Sequence, residues 1–296
     1  MNQSKATAIG FCAILLWSSN VGLIKEVSHS FGATMGAALI YTVASLFLLL
    51  SIKWTPLSKF PKKYLFFGSL LMVSYELCLA LSIGYSENSV QAIEVGMVNY
   101  LWPTFTMIAT VLFTSKKANW LIIPGIIISM LGIVWVLGGD KGFNVSEMMA
   151  HIQSNPLSYG LAFLGALLWA GYCVVTIRLS NGANGITLFF MIVAFVLWIK
   201  CVLLYDQSEI NVSFPSIIYL ILAGAAMGFG YAAWNVGILH GNVTTLAGAS
   251  YFTPVLSSML SSILLSAALG FSFWRGALMV CLGSILCWLS TKKFKK

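Results

Sequence analysis

Apolar stretches of about 20 residues recur along the whole chain, separated by short polar connections. A helix needs about 20 apolar residues to cross about 30 Å of hydrocarbon, so each stretch is long enough to span a membrane. The pattern predicts an all-α polytopic membrane protein. Its ten predicted transmembrane helices cover residues 7–24, 33–52, 64–84, 90–113, 119–138, 157–177, 185–205, 214–238, 243–267 and 271–291.

Two of these stretches contain residues that interrupt a helix. The strings VNYLWPTF and ASYFTPVL place Tyr100 and Pro103 opposite Tyr251 and Pro254, which come 151 positions later. A proline inside a helix removes the donor for the carbonyl four residues earlier, and in lipid that carbonyl needs protein, water or ligand. A structural kink is the alternative interpretation. Two breaks in matching places favour the hypothesis that both line a cavity.

Other residues recur at nearly the same offset, which indicates two copies of one unit. The matching pairs are Gly125 with Gly276, Gly132 with Gly283 and Trp17 with Trp169. Five spans is an odd number, so the second copy enters the membrane from the opposite face, as in many secondary transporters. We predict two inverted five-helix repeats around a central cavity, over 1–140 and 157–296. The linker, 141–156, contains VSEMMAHI, whose apolar spacing predicts a short amphipathic helix on the periplasmic surface.

Composition and charge placement support a membrane protein over a soluble one. The chain is 59% hydrophobic and 8% charged, whereas soluble proteins carry about 25% charged residues. A net charge of +8 could indicate a nucleic-acid partner, but the basic residues follow membrane topology. With a cytoplasmic N-terminus, twelve of the 16 Lys and Arg residues fall inside, and the others are Lys25, Lys141, Lys200 and Arg275. The positive-inside rule therefore predicts that both termini are cytoplasmic, and no nucleic-acid partner is expected.

Two carboxylates, Glu76 and Glu94, lie inside predicted spans. Acids inside a membrane are costly and are functional candidates by default. They could carry protons, attract an ammonium group, or serve as hydrogen-bonded structural acids, and the sequence leaves these roles open. Cysteine and histidine spacing indicates no metal site, and no nucleophile–base pair indicates an enzyme. No cofactor and no obligate protein partner are expected.

Polar and aromatic side chains share helix faces close to the predicted breaks. Asn99 and Trp102 lie on one face of the fourth span, and Tyr231, Trp234 and Asn235 lie on one face of the eighth. No Lys or Arg occurs in the middle of a span, which disfavours strongly anionic cargo. This lining suits a neutral or zwitterionic molecule with an apolar body. Further candidates beside the breaks are Tyr100, Ser250 and Tyr251.

Four strings, QAIEVGMVNYLWP, YAAWNVGILHGNVT, SYFTPVLSS and FSFWRGALMVC, resemble the drug/metabolite transporter superfamily in its ten-helix form with two EamA repeats. The likeness covers essentially the whole chain. It implies a basket of helices in the bacterial inner membrane that exports Phe, Tyr, Trp and other apolar amino acids by alternating access. The implied cavity lining is Tyr75, Tyr100, Trp102 and Trp169, with Tyr231, Trp234 and Ser250.

A proton-coupled efflux pump for lipophilic cations is the alternative function. Such a pump would use Glu76 or Glu94 as its exchanging acid, whereas amino acid export should depend more on Tyr100 and Trp102. The two halves are not equivalent at the site, because Thr253 occupies the place of Trp102.

Overall fold

The computed structural model describes residues 2–52, 54–204 and 210–291, and this part of the chain is all-helical, without strands. The all-α prediction is therefore confirmed for those residues. Met1, Lys53, residues 205–209 and residues 292–296 lie outside them, and position 205 is the last of the seventh predicted span. The helices are α1 (Gln3–Phe31), α2 (Ala33–Ser51), α3 (Lys62–Gly84), α4 (Ser89–Asn99), α5 (Trp102–Phe113), α6 (Ile122–Leu137), α7 (Val145–Ser154), α8 (Pro156–Leu179), α9 (Ile186–Leu204), α10 (Phe214–His240), α11 (Val243–Ser250), α12 (Thr253–Leu264) and α13 (Phe271–Ser290).

Most of these helices have the length and composition of membrane spans. Within the described residues, eight segments are long and apolar enough to cross a membrane, with α4 and α5 counted together as one. The helices α6 and α12 are apolar but shorter. A bilayer offers no partner for backbone polar groups, so a chain built of helices suits it because each helix satisfies its own backbone. The chain is a multi-pass membrane protein.

Each predicted helix break is a two-residue turn, one between α4 and α5 and one between α11 and α12. Pro103 and Pro254 lie in the first turn of the second helix of each pair. A proline is tolerated there because the first amides of a helix have no partner within the helix. After the second break, the Thr253 hydroxyl donates to the Ser250 carbonyl over 2.6 Å. The protein therefore supplies a donor to the carbonyl that faces Pro254.

The helices α6 and α13 meet backbone to backbone at glycines. A Cβ atom added to Gly132 would lie 2.8 Å from the carbonyl oxygen of Gly276, and one added to Gly276 would lie 2.6 Å from that of Gly132. A Cβ atom on Gly283 would lie 2.5 Å from the Gly125 carbonyl oxygen. Only glycine permits so close an approach, and small residues at helix interfaces are typical of membrane proteins.

The longer helices pack around a common centre. The helix α1 packs on α10, α11 and α12, and α8 packs on α3, α4 and α5. The helix α2 packs on α9, just as α6 packs on α13. The space enclosed by α1, α3, α4, α8 and α10 contains the candidate site.

The α6–α13 contact generates a first prediction. We expect Gly132→Ala to lower the free energy of unfolding by about 1–3 kcal/mol, because the new methyl group overlaps the α13 backbone. Gly160→Ala is the matched control, since nothing lies within 4 Å of a Cβ atom there. Thermal unfolding of both purified variants in the same detergent measures the difference. Equal midpoints would contradict the backbone contact.

Candidate functional site

A cavity of about 60 Å³ lies at the centre of the helix bundle. Its walls come from α1, α3, α4, α5, α8, α10 and the first residue of α12. Six of the residues that the sequence nominates contribute to this lining: Tyr75, Asn99, Tyr100, Trp102, Trp169 and Tyr231. The break between α4 and α5 thus places Tyr100 and Trp102 on the cavity wall.

The lining also contains residues that the sequence analysis did not place in the site. They are Trp17, Asn20, Val21, Leu79, Gly96, Met227 and Thr253. Two of them were within reach of sequence reasoning. Trp17 is the repeat partner of Trp169, and Thr253 stands at the place of Trp102, so the repeat itself could have identified both. Asn20 and Met227 carry no such sequence pattern.

Four of the nominated residues lie outside this lining. The Ser250 hydroxyl donates to the Ala247 carbonyl of its own helix at 2.9 Å. The Tyr251 ring packs on Trp288, with centroids 5.8 Å apart. Trp234 packs behind the cavity wall against Trp17 at 5.2 Å, and Asn235 is its neighbour on α10. The first break therefore contributes Tyr100 and Trp102 to the cavity lining, whereas the second break contributes only Thr253 among the described residues.

Trp169 is the centre of a cluster of aromatic rings on the cavity wall. Its ring centroid lies 4.8 Å from that of Tyr75, 5.8 Å from Trp102 and 6.3 Å from Tyr231. Tyr231 in turn lies 5.2 Å from Trp17. Ring pairs at such distances contribute about 0.5–1.5 kcal/mol each beyond their area burial. The rings come from five different helices, so the cluster holds the walls of the cavity together.

The cavity is neutral and narrow. Across residues 2–52, 54–204 and 210–291, no Asp, Glu, Lys or Arg contributes to its lining. Its volume of about 60 Å³ has room for a few water molecules, whereas ligand pockets usually measure about 300–1,000 Å³. The site is therefore uncharged and smaller than a usual ligand pocket.

Glu76 lies behind the ring cluster and is fully buried. The Tyr41 hydroxyl donates to its Oε2 at 2.6 Å, and the Tyr231 hydroxyl donates to its Oε1 at 2.8 Å. No basic side chain of the described residues pairs with this carboxylate. Its partners are therefore two phenols, and one of them, Tyr231, also forms part of the cavity wall.

Glu94 connects the cavity helices to the short helix α7. Its Oε2 accepts from the Tyr159 hydroxyl at 2.5 Å and lies 3.3 Å from His151 Nδ1. His151 belongs to α7 and keeps 35% of its side chain exposed. The acid thus joins α4, α7 and α8 at one end of the bundle. Neither Glu76 nor Glu94 belongs to the cavity lining.

Comparison with known proteins identifies relatives over the full length. A model of the EamA-like transporter family matches residues 4–138 and again residues 156–289. The aromatic amino acid exporter YddG of Escherichia coli (strain K12) is 54% identical over 293 residues, which cover 99% of this chain and 100% of that protein. The aromatic amino acid exporter YddG of Salmonella typhimurium (strain 14028s / SGSC 2262) is 53% identical over the same shares.

A solved crystal structure has a similar fold. It matches with a TM-score of 0.67 over 98% of both chains, at 21% sequence identity. At that identity the likeness concerns the fold alone. The helix arrangement described above therefore has a counterpart among solved structures.

The pairing of Glu76 generates a second prediction. We expect Tyr41→Phe to lower the free energy of unfolding by about 1–3 kcal/mol, because one oxygen of a buried carboxylate then loses its donor. Ser51→Ala is the control, since the Ser51 hydroxyl donates to the Phe47 carbonyl of its own helix at 2.7 Å. Unfolding midpoints in detergent provide the measurement. A Tyr41→Phe midpoint equal to that of the control would mean that Glu76 does not depend on this phenol.

Proposed function

Since the chain belongs to the EamA-like transporter family, we propose that it exports aromatic and other apolar amino acids from the cytoplasm by alternating access. The observation that carries this proposal is the neutral, ring-walled cavity at the centre of the bundle. Aromatic rings such as Trp102 and Trp169 favour a flat apolar side chain, and a site without fixed charge suits a zwitterion over an ion of one sign. Two full-length relatives at 53% and 54% identity carry the name of aromatic amino acid exporters.

We further propose ten membrane-spanning segments in two inverted repeats, over 1–140 and 157–296, joined by the linker 141–156. The family model matches the chain twice, at 4–138 and 156–289, which supports this division. Helix packing supports it too. Exchanging the repeats converts the α1–α10 pair into α8–α3 and the α1–α12 pair into α8–α5, and all four pairs are in contact.

The glycine contacts between α6 and α13 support the same inverted symmetry. Gly125 corresponds to Gly276 in the repeat, and Gly132 corresponds to Gly283. Exchanging the repeats therefore turns the contact of Gly125 with Gly283 into the contact of Gly276 with Gly132. Both contacts occur, as expected for helices related by a pseudo-two-fold axis.

Within this proposal the nominated residues have different roles. Tyr75, Tyr100, Trp102, Trp169 and Tyr231 enclose the side chain of the amino acid. Asn99 binds through its amide nitrogen to the Ala162 carbonyl at 3.2 Å, which fixes α4 against α8. The remaining nominees, Trp234, Asn235, Ser250 and Tyr251, stay predictions, and they lie outside the cavity lining.

The two membrane acids stay candidate proton or ammonium sites. Glu76 is the better placed of the two for proton coupling, because Tyr231 connects it to the cavity wall. A pump for lipophilic cations would be expected to expose a carboxylate to its cargo. Neither Glu76 nor Glu94 lines the cavity of the described chain. Amino acid export is therefore supported better than cation efflux.

The proposed location is the bacterial inner membrane, with both termini in the cytoplasm. The positive-inside distribution of Lys and Arg supports this orientation. Glu87 and Lys59 are both exposed and lie at opposite ends of α3. We expect Glu87→Cys to react with a membrane-impermeant thiol reagent added to intact cells, and Lys59→Cys to react only after lysis. The reverse pattern would overturn the orientation.

The ring wall generates the central functional test. We expect Trp102→Ala to slow export of Phe and Trp by about tenfold and export of Thr much less, because only aromatic cargo loses a ring partner and close packing. Efflux is measured from cells loaded with each labelled amino acid and is normalised to the amount of protein in the membrane.

Trp120→Ala is the matched control, because Trp120 is 73% exposed and lies outside the cavity. It should leave the ratio of Phe export to Thr export unchanged. If Trp102→Ala slows Phe and Thr equally, Trp102 serves the fold or the gate. If the wild-type protein exports neither Phe nor Trp, the proposed function fails.

A further inference from the structure

Asn20 brings an unpaired hydrogen-bond acceptor to the wall of the central cavity. Its side chain is 8% exposed, and its Oδ1 is buried without a hydrogen-bond partner among the described residues. Its Nδ2 donates to Met227 Sδ at 3.2 Å. A thioether sulfur accepts hydrogen bonds and has no hydrogen to donate, so the amide must present its nitrogen to Met227. The oxygen is therefore the atom that remains for a ligand.

Trp169, which lines the same cavity, carries an unpaired donor. Its Nε1 is buried without a partner among the described residues, although the indole ring has aromatic neighbours on several sides. Trp17 Nε1 is unpaired as well, but it lies against α10, since a Cβ atom on Gly230 would be 2.7 Å from it. Trp169 is therefore the indole whose donor is the candidate for a ligand contact.

An acceptor and a donor left unpaired on one small cavity call for an explanation, because most buried polar side-chain atoms in proteins have a hydrogen-bond partner. Asn99 does not provide it, since its amide nitrogen already bonds the Ala162 carbonyl. The missing partner must donate to an oxygen and accept from an N–H group. An α-amino acid does both, because its ammonium group donates and its carboxylate accepts.

We propose that Asn20 Oδ1 accepts a hydrogen bond from the α-ammonium group of the bound amino acid, and that Trp169 Nε1–H donates to its α-carboxylate. This assignment rests on the proposed function and specifies how the site recognises the zwitterion. Both contacts are charge-assisted, since the ligand supplies the charge. The protein side is neutral, so the empty cavity leaves no unpaired ion when the transporter returns without cargo. A buried unpaired charge would cost far more than an unpaired amide.

Ligands that lack one charged group test each contact separately. The probes are Phe, 3-phenylpropanoate, which lacks the ammonium group, and 2-phenylethylamine, which lacks the carboxylate. Binding of each to the purified full-length protein in detergent is measured for the wild type, Asn20→Leu and Trp169→Phe. Loss of a hydrogen bond to a charged group corresponds to about tenfold or more in affinity.

We expect Asn20→Leu to lower the affinity for Phe and for 2-phenylethylamine by at least about tenfold and to leave the affinity for 3-phenylpropanoate unchanged. Trp169→Phe should lower the affinity for Phe and for 3-phenylpropanoate by a similar factor, because both carry a carboxylate. The affinity for 2-phenylethylamine should fall less. Gln153→Leu is the control, because Gln153 also carries an amide side chain, is exposed on α7 and lies outside the cavity lining. It should weaken none of the three probes selectively.

The results separate this assignment from the function on which it rests. Wild-type protein that binds no Phe overturns the proposed function and this assignment together. If the wild-type protein binds Phe and Asn20→Leu lowers the affinity for all three probes equally, the assignment alone is overturned.

If Asn20→Leu does not fold, a second substitution at the same position still tests the assignment. Asn20→Asp keeps the size and shape of the side chain and turns the acceptor into an ion. It should favour 2-phenylethylamine over 3-phenylpropanoate by at least about tenfold relative to the wild type. An unchanged ratio in Asn20→Asp also overturns the assignment.

Discussion

The structure depends on the requirement that the protein itself satisfies its backbone polar groups wherever lipid surrounds it. Long helices meet this requirement without help, and the two breaks need something more. At the second break the Thr253 hydroxyl bonds the Ser250 carbonyl, so a side chain replaces the donor that Pro254 lacks. At the first break Trp102 occupies the equivalent position and has no hydroxyl. Its ring forms part of the cavity wall instead. The same kind of break therefore carries a hydrogen-bonding hydroxyl in one half and a ring of the cavity wall in the other.

The same constraint explains where charge is kept. Glu76 has two tyrosine hydroxyls as partners, and Glu94 has a tyrosine and a histidine, and both acids stay off the cavity surface. A carboxylate on that surface would bind a cation strongly and would have to be neutralised each time the cavity emptied. Rings and neutral hydrogen-bonding atoms hold cargo less tightly, which suits a carrier that must release what it binds.

Sequence patterns were sufficient for features that depend on neighbouring residues. The apolar stretches are local features, and eight of the described segments are long and apolar enough to span a membrane. The breaks beside Pro103 and Pro254 and the glycines of α6 and α13 are also local, and the structure contains them. The partners of the polar groups could not be predicted, because they come from remote helices. Asn20 meets Met227 across 207 positions, and Glu76 meets a tyrosine across 155. Repeat symmetry also nominated Ser250 and Tyr251 as lining residues. The two halves differ here, because Tyr100 lines the cavity and its repeat partner Tyr251 does not.

The cavity of about 60 Å³ is surrounded by helix contacts of different kinds. The α6–α13 contact is backbone against backbone, as is the approach of Gly10 to Gly237 between α1 and α10. Such contacts cannot slide without overlap. The turn at Tyr100 and Leu101 is different. The amides of these two residues donate to the Gly96 and Val98 carbonyls of α4, and α5 begins at the next residue. Trp102 is the first residue of α5, so the ring that meets Trp169 stands at the junction of two helices and not within a continuous one. The break that interrupts the backbone ladder is therefore also the feature that places a ring on the cavity wall.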